Sequence, residues 1–159
     1  MAGSGNTEIQ NRFFAALPYV LPLIYVLPFG SFLFQQFQLL QLIYLPLQPL
    51  LAVYQFPFAG LIVFFVLILA VVRNENIPHF IRFNTMQAIL IDILLILIRF
   101  ATQILGSGFQ GGGGILLETF SNTIFLGTLA IVVYGIVQSA RGIYAEIPAI
   151  SEAVNGQVR

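Results

Sequence analysis

Apolar positions along this chain fall into four long runs: Phe13–Phe34, Phe56–Val72, Thr85–Leu105 and Leu117–Val137. Each is about as long as the roughly 17–25 residues a helix needs to cross a bilayer core. The pattern predicts an all-α, polytopic membrane protein with four transmembrane helices. Between the first two runs, Gln35–Gln55 is uncharged but rich in Gln. Gln38, Gln41 and Gln48 lie near one helical face, and Leu40, Ile43, Tyr44 and Leu47 on another. This predicts a short interfacial helix, stopped by Pro46 and Pro49, with a re-entrant segment as the alternative. Pro57 is placed to open the second span. Pro18, Pro22 and Pro28 interrupt the first span and predict a bend or break near Pro22 or Pro28.

The third run is the unusual one. It carries an acid and a base at a depth where each charge costs at least about 2.5 kcal/mol on insertion scales. Thr85, Asp92 and Arg99 recur at seven-residue steps, and Gln103 follows one turn after Arg99, so all four share a face. Asp92 and Arg99 are two turns apart, too far for a direct salt bridge within the helix, so each needs a partner elsewhere. Asn84 and Gln87 lie at the start of the same helix. In the fourth run, Asn122 is one turn inside and is a candidate partner for this polar face. Two readings stay open: the face bonds to neighbouring helices and holds the bundle together, or it lines a wet path for a substrate.

Composition agrees with membrane burial. The chain has 159 residues, 58% hydrophobic and only 8% charged, against about 25% charged for soluble domains. Mean hydropathy is +0.95. The organisation expected is a polar N-terminal segment at 1–12, a four-helix membrane domain at 13–137 and a polar tail at 138–159. In that tail Arg141-Gly142 closes the fourth helix and Pro148 breaks the chain. Ile150–Val154 then forms a short capped turn, in a tail that is interfacial or partly disordered. With Cys absent, neither a disulfide nor a thiolate site is available, and nothing resembles a basic nucleic-acid surface.

Arginines set the expected topology. Arg12, Arg73, Arg82, Arg141 and Arg159 flank the termini and the connector between spans two and three, while the other two loops carry none. The positive-inside rule places both termini and that connector on the cytoplasmic or stromal side. The glycine-rich loop at Gly106–Gly114 faces out, is expected to be flexible, and lacks the Lys-Ser/Thr of a phosphate-binding loop. On the fourth span, Thr123, Gly127, Gly135 and Ser139 form a ridge of small residues suited to close helix packing.

Catalysis is not expected. Asp92 is the only aspartate, so paired aspartates cannot form within one chain; no HExxH is present, and the one histidine, His79, lies in a connector as a solvated or interfacial residue rather than a ligand. Neither metal nor cofactor is implied. The residues do carry a family resemblance. Arg12-Phe13-Phe14-Ala15-Ala16-Leu17-Pro18-Tyr19, Val71-Val72-Arg73-Asn74, Arg82-Phe83-Asn84-Thr85-Met86-Gln87-Ala88 running on to Asp92-Ile93, and Glu118-Thr119-Phe120-Ser121-Asn122-Thr123-Ile124-Phe125 resemble the Tic-twenty family. So does the closing Arg141-Gly142-x-Tyr144-x-Glu146-x-Pro148 to Ser151-Glu152-Ala153.

That family comprises four-helix components of the translocon at the inner envelope membrane of chloroplasts, with cyanobacterial relatives. The resemblance implies an integral membrane subunit of a protein translocon, contributing to a preprotein-conducting channel. Its partners would be other translocon subunits, a translocating polypeptide and the lipid bilayer, with no nucleic acid. No organelle transit peptide precedes the first span, which points to a cyanobacterial membrane or a plastid-encoded protein of the inner envelope. Asn84, Gln87, Asp92, Arg99, Gln103 and Asn122 are the candidates for a polar face along the conduit. Four helices alone rarely enclose a peptide-wide pore, so a homo-oligomer or partner subunits are implied. The alternative is a structural or assembly subunit without its own conduit. A small-solute transporter is weakened by the lack of an evident internal repeat.

Overall fold

The computed structural model describes residues 2–106 and 114–158, and those residues form helices and turns without a strand. Three helices are long and apolar enough to cross a membrane: Glu8–Gln36, His79–Gly106 and Gly114–Ala140. A bent pair, Gln38–Tyr54 and Ala59–Val72, supplies the fourth if it is counted as one span. The four-span, all-helical expectation therefore holds, with the second span the irregular one.

The first span is built from α1 (Ala2–Ala16), α2 (Val20–Val26) and α3 (Ser31–Gln36), joined by tighter 3₁₀ turns at Leu17–Tyr19 and Leu27–Gly30. These turns fall at Pro18 and Pro28, where the missing N–H and the ring prevent regular α-helical bonding. Pro22 causes no break, because it sits in the first turn of α2, where its N–H is not needed. Helix α1 begins well before Phe13, within the polar N-terminal segment.

The expected stop at Pro46 and Pro49 does not occur. A 3₁₀ turn at Gln38–Ile43 runs into α4 (Tyr44–Tyr54), which passes through Pro49. Pro46 lies in its first turn, where a proline costs little. Packing outweighs the remaining cost: Leu47 is buried, with Ile43 and Tyr44 against the main core and the Phe34 and Tyr44 rings 5.2 Å apart. The chain then bends by 97° into α5 (Ala59–Leu67) and a π-helical turn at Ile68–Val72. Pro57 belongs to that bend and does not open α5. Phe58 is left-handed there, with φ 61°, and caps the new helix.

Helices α6 (His79–Gly106) and α7 (Gly114–Ala140) are continuous. The first span lies between them, so they touch each other little. The glycine-rich loop falls mainly at 107–113, outside the described residues. The tail is more ordered than its sequence implies. After Arg141-Gly142 it runs extended to a turn at Pro148, and α8 (Ile150–Gln157) then docks against α6. Val154 and Val158 are buried with Val72, Phe83, Met86 and Ile89 in a second core cluster. Val154 and Val158, about one helical turn apart, bury an apolar edge of this tail against α6 although the tail is richer in charge than the spans.

Small residues on α7 are used unevenly. A Cβ on Gly135 would lie 2.5 Å from the Tyr19 ring, whereas one on Gly127 would meet nothing within 4 Å. Gly135 thus sets the approach of α7 to the first span. Gly135→Val should destabilise the protein by about 1–3 kcal/mol through overpacking, read as a lower thermal unfolding midpoint in detergent. Gly127→Ala, the control, should change that midpoint little.

Candidate functional site

The N-terminal half of α6 is the centre of the molecule: every residue from Ile81 to Ile89 is buried. The first span, the end of the second, α8 and the tail all pack around it. The side chains placed there must find internal partners, and they do. Tyr19 donates its hydroxyl proton to Asn84 Oδ1 at 2.7 Å and accepts from Gln87 Nε2 at 2.8 Å. Asn84 Nδ2 donates to the Phe80 carbonyl at 2.8 Å, and Ser139 Oγ approaches Asn84 Oδ1 at 3.3 Å. Gln87 Nε2 also donates to the Ala145 carbonyl at 2.8 Å. Ser151 Oγ donates to Gln87 Oε1 at 2.6 Å and accepts from the Ile147 amide at 2.7 Å.

This network ties the first span, the third, the fourth and the tail together at one end of the bundle. Arg82 and Arg12 sit at the same end. Arg82, buried, donates from Nε to the Val72 carbonyl at 2.7 Å and so caps the second span. Arg12 lies against the backbone of Gly142, whose φ is +75°. His79 Nδ1 and the Tyr144 hydroxyl are 2.9 Å apart. Partial burial pushes the Tyr144 hydroxyl above its ordinary pKa. Among the described residues no cluster could hold a metal ion.

Further along α6 the environment changes. Asp92 is only 8% exposed, yet its Oδ1 has no hydrogen-bond partner among the described residues. It lines a partly enclosed cavity of about 350 Å³. Leu21 and Tyr25 of the first span form one wall, Tyr54, Gly60 and Phe64 of the bent pair another, and Ile89 and Ile96 flank Asp92 on α6. The Tyr25 and Tyr54 rings meet edge to face at 5.9 Å. Across Tyr25 and Ile96, which both cavities share, is a smaller one of about 200 Å³ bordered by Arg99 and Gln103.

The seven-residue stripe is therefore divided by depth. Thr85 and Asp92 are buried, whereas Arg99 and Gln103 are exposed. The reason is coverage: the first span and the tail pack most heavily on the early turns of α6, leaving its later turns open. Asp92 and Arg99 form no ion pair with each other, as their spacing implied. Asn84 and Gln87 bond into the closed network and do not line the Asp92 cavity. Asn122 Oδ1 is buried without a hydrogen-bond partner among the described residues. Sequence reasoning missed Ser139 and Ser151 as members of the hub and Tyr54 as a wall of the cavity, and left Tyr19 and Tyr25 open between an interface anchor and an internal hydrogen bond. Their signal was weak, since a tyrosine in an apolar run reads equally as an interface anchor.

An all-helical membrane protein with a bonded polar hub at one end and a buried acid beside a cavity midway is the class these features define. Comparison with known proteins gives the family. Residues 6–154 match the family described as chloroplast import apparatus Tic20-like. A "Tic20 family protein" of Synechocystis is 55% identical over 161 residues, covering 100% of this chain and 99% of that protein. "Protein TIC 20-II, chloroplastic" of Arabidopsis thaliana is 36% identical, covering 96% of this chain and 74% of that protein. A "Tic20 family protein Ycf60" of the red alga Gracilaria tenuistipitata is 35% identical, covering 96% of this chain and 78% of that protein. The chain belongs to the Tic20 family.

Proposed function

We propose that this chain is a membrane subunit of a protein translocon, and that the face of α6 around Asp92 contributes to the path of the moving polypeptide. The family supports the first part. Asp92 carries the second: an acid is kept beside a cavity at bilayer depth although nothing described in the chain bonds its Oδ1. A purely structural acid would be expected to have a partner, as Asn84 and Gln87 do. The arginine-bearing end, with both termini, faces the cytoplasm or stroma. The protein works without catalysis of its own. Other subunits or further copies complete the conduit, because the cavities among the described residues, of about 200–500 Å³, are far smaller than a pore.

The test is site-specific photocrosslinking in vesicles containing an arrested polypeptide. Probes at Ile93 and Ile96, on the cavity wall, should capture the polypeptide, while a probe at Leu97 on the exposed face should capture lipid. Capture of nothing but neighbouring subunits from Ile93 and Ile96 would favour an assembly subunit instead.

A further inference from the structure

The hub accounts for Asn84 and Gln87, and the arginine caps account for the charged end. The acid, two phenols and the cavity between the first span, the bent pair and α6 remain unused. One carboxyl with a free oxygen and two tyrosines is a poor set for a divalent cation, which takes six or more oxygen ligands. Among the described residues lining this cavity no further acid or His joins it. It suits a single organic cation. A carboxylate makes strong, charge-assisted bonds to an N–H donor, and phenol rings attract the same charge through their faces. The remaining walls are aliphatic, as at Leu21, Leu61 and Ile93, and suit a methylene stem. At about 350 Å³ the cavity has room for such a group.

We infer that the cavity bounded by Asp92, Tyr25 and Tyr54 is a binding site for an alkylammonium or guanidinium group on an apolar stem, occupied in turn by the Lys and Arg side chains of a polypeptide moving along α6. This occupant rests on the conducting role proposed above; the cation site itself does not. The aliphatic walls desolvate the stem and the acid balances the charge, so a basic residue can pause at bilayer depth without carrying its water shell. Next to the 97° bend, Gly60 brings this wall close to the first span: a Cβ on Gly60 would lie 2.8 Å from the Tyr25 hydroxyl oxygen.

Two measurements test this. In the first, the purified full chain is heated with n-hexylammonium or with n-hexanol. Hexylammonium should raise the unfolding midpoint, hexanol should not, and Asp92→Asn should abolish the difference. Equal effects of the two compounds, or a difference that survives in Asp92→Asn, would overturn the site. In the second, vesicles free of amine-bearing lipids contain the chain with a photocrosslinker at Ile96 and an arrested polypeptide. The polypeptide carries either Lys or norleucine at one position. Lys should crosslink roughly tenfold more, as expected for a desolvated cation contact, and Asp92→Asn should remove the preference. Equal crosslinking of both probes would leave passage intact and overturn the polypeptide as occupant. Absence of both crosslinks while polypeptide still enters the vesicles would refute the conducting role and this occupant together.

Discussion

Replacing Gln87 with leucine is expected to release the C-terminal tail and destabilise the whole bundle. Gln87 bonds to Tyr19 in the first span, to the Ala145 carbonyl and to Ser151. Leucine fills similar space but takes one bond from each of the three partners, leaving Tyr19 its bond to Asn84 and Ser151 its bond from the Ile147 amide. An unsatisfied buried group costs about 1–3 kcal/mol, while single polar contacts between membrane helices average only about 0.6 kcal/mol. The hub lies near one end of the spans, where released groups can partly reach water. A total loss of about 2–4 kcal/mol follows. The Ile147 amide, which donates to Ser151 Oγ at 2.7 Å, provides the local readout. Its hydrogen exchange should accelerate in Gln87→Leu more than exchange in the middle of α7. Tyr19→Phe should cost less, and the double variant should cost less than the sum, since both remove one bond. Unchanged protection of Ile147 in Gln87→Leu would show that Val154 and Val158 alone hold the tail.

The helices and their number were legible because bilayer crossing demands long apolar runs, and four such runs are present. The unusual role of α6 was equally visible, since an acid and a base inside a span are rare on energetic grounds. Heptad spacing could group Thr85, Asp92, Arg99 and Gln103 on one face, but a face is not an environment. What surrounds each turn depends on where the kinked first span crosses α6; Pro28 gave one kink, the one at Pro18 was not expected, and neither gives the crossing point. The passage of α4 through Pro49 was hidden for a related reason: local proline chemistry says stop, and the packing of Leu47, Ile43 and Tyr44 overrides it. The turn at Ile150–Val154 was legible, but its docking on α6 was not, although Ala145, Val154 and Val158 were there to be buried. Long-range pairs such as Tyr19 with Asn84 leave no local trace at all.

Asp92→Leu is expected to separate stability from transport, which makes it the sharper test of function. If the acid served the fold, its removal would weaken the protein. Asp92 Oδ1 is buried without a partner among the described residues, in a cavity that is otherwise nearly apolar. Leucine removes an unsatisfied polar group, a penalty of about 1–3 kcal/mol, and adds apolar contact with Leu21, Phe64 and Ile96. The unfolding midpoint should therefore stay the same or rise. Transport of polypeptide into vesicles containing the variant should fall by about an order of magnitude or more, if the acid balances passing charge worth at least one charged hydrogen bond. Asp92→Asn, which keeps shape and polarity, should fall nearly as far. Arg99→Leu, at an exposed position, should have a smaller effect on transport. A stable Asp92→Leu variant with normal transport would assign the acid no part in conduction. A variant that folds but no longer co-purifies with its neighbours would instead place the missing partner of Asp92 on another subunit, and the assembly role would be the one to keep.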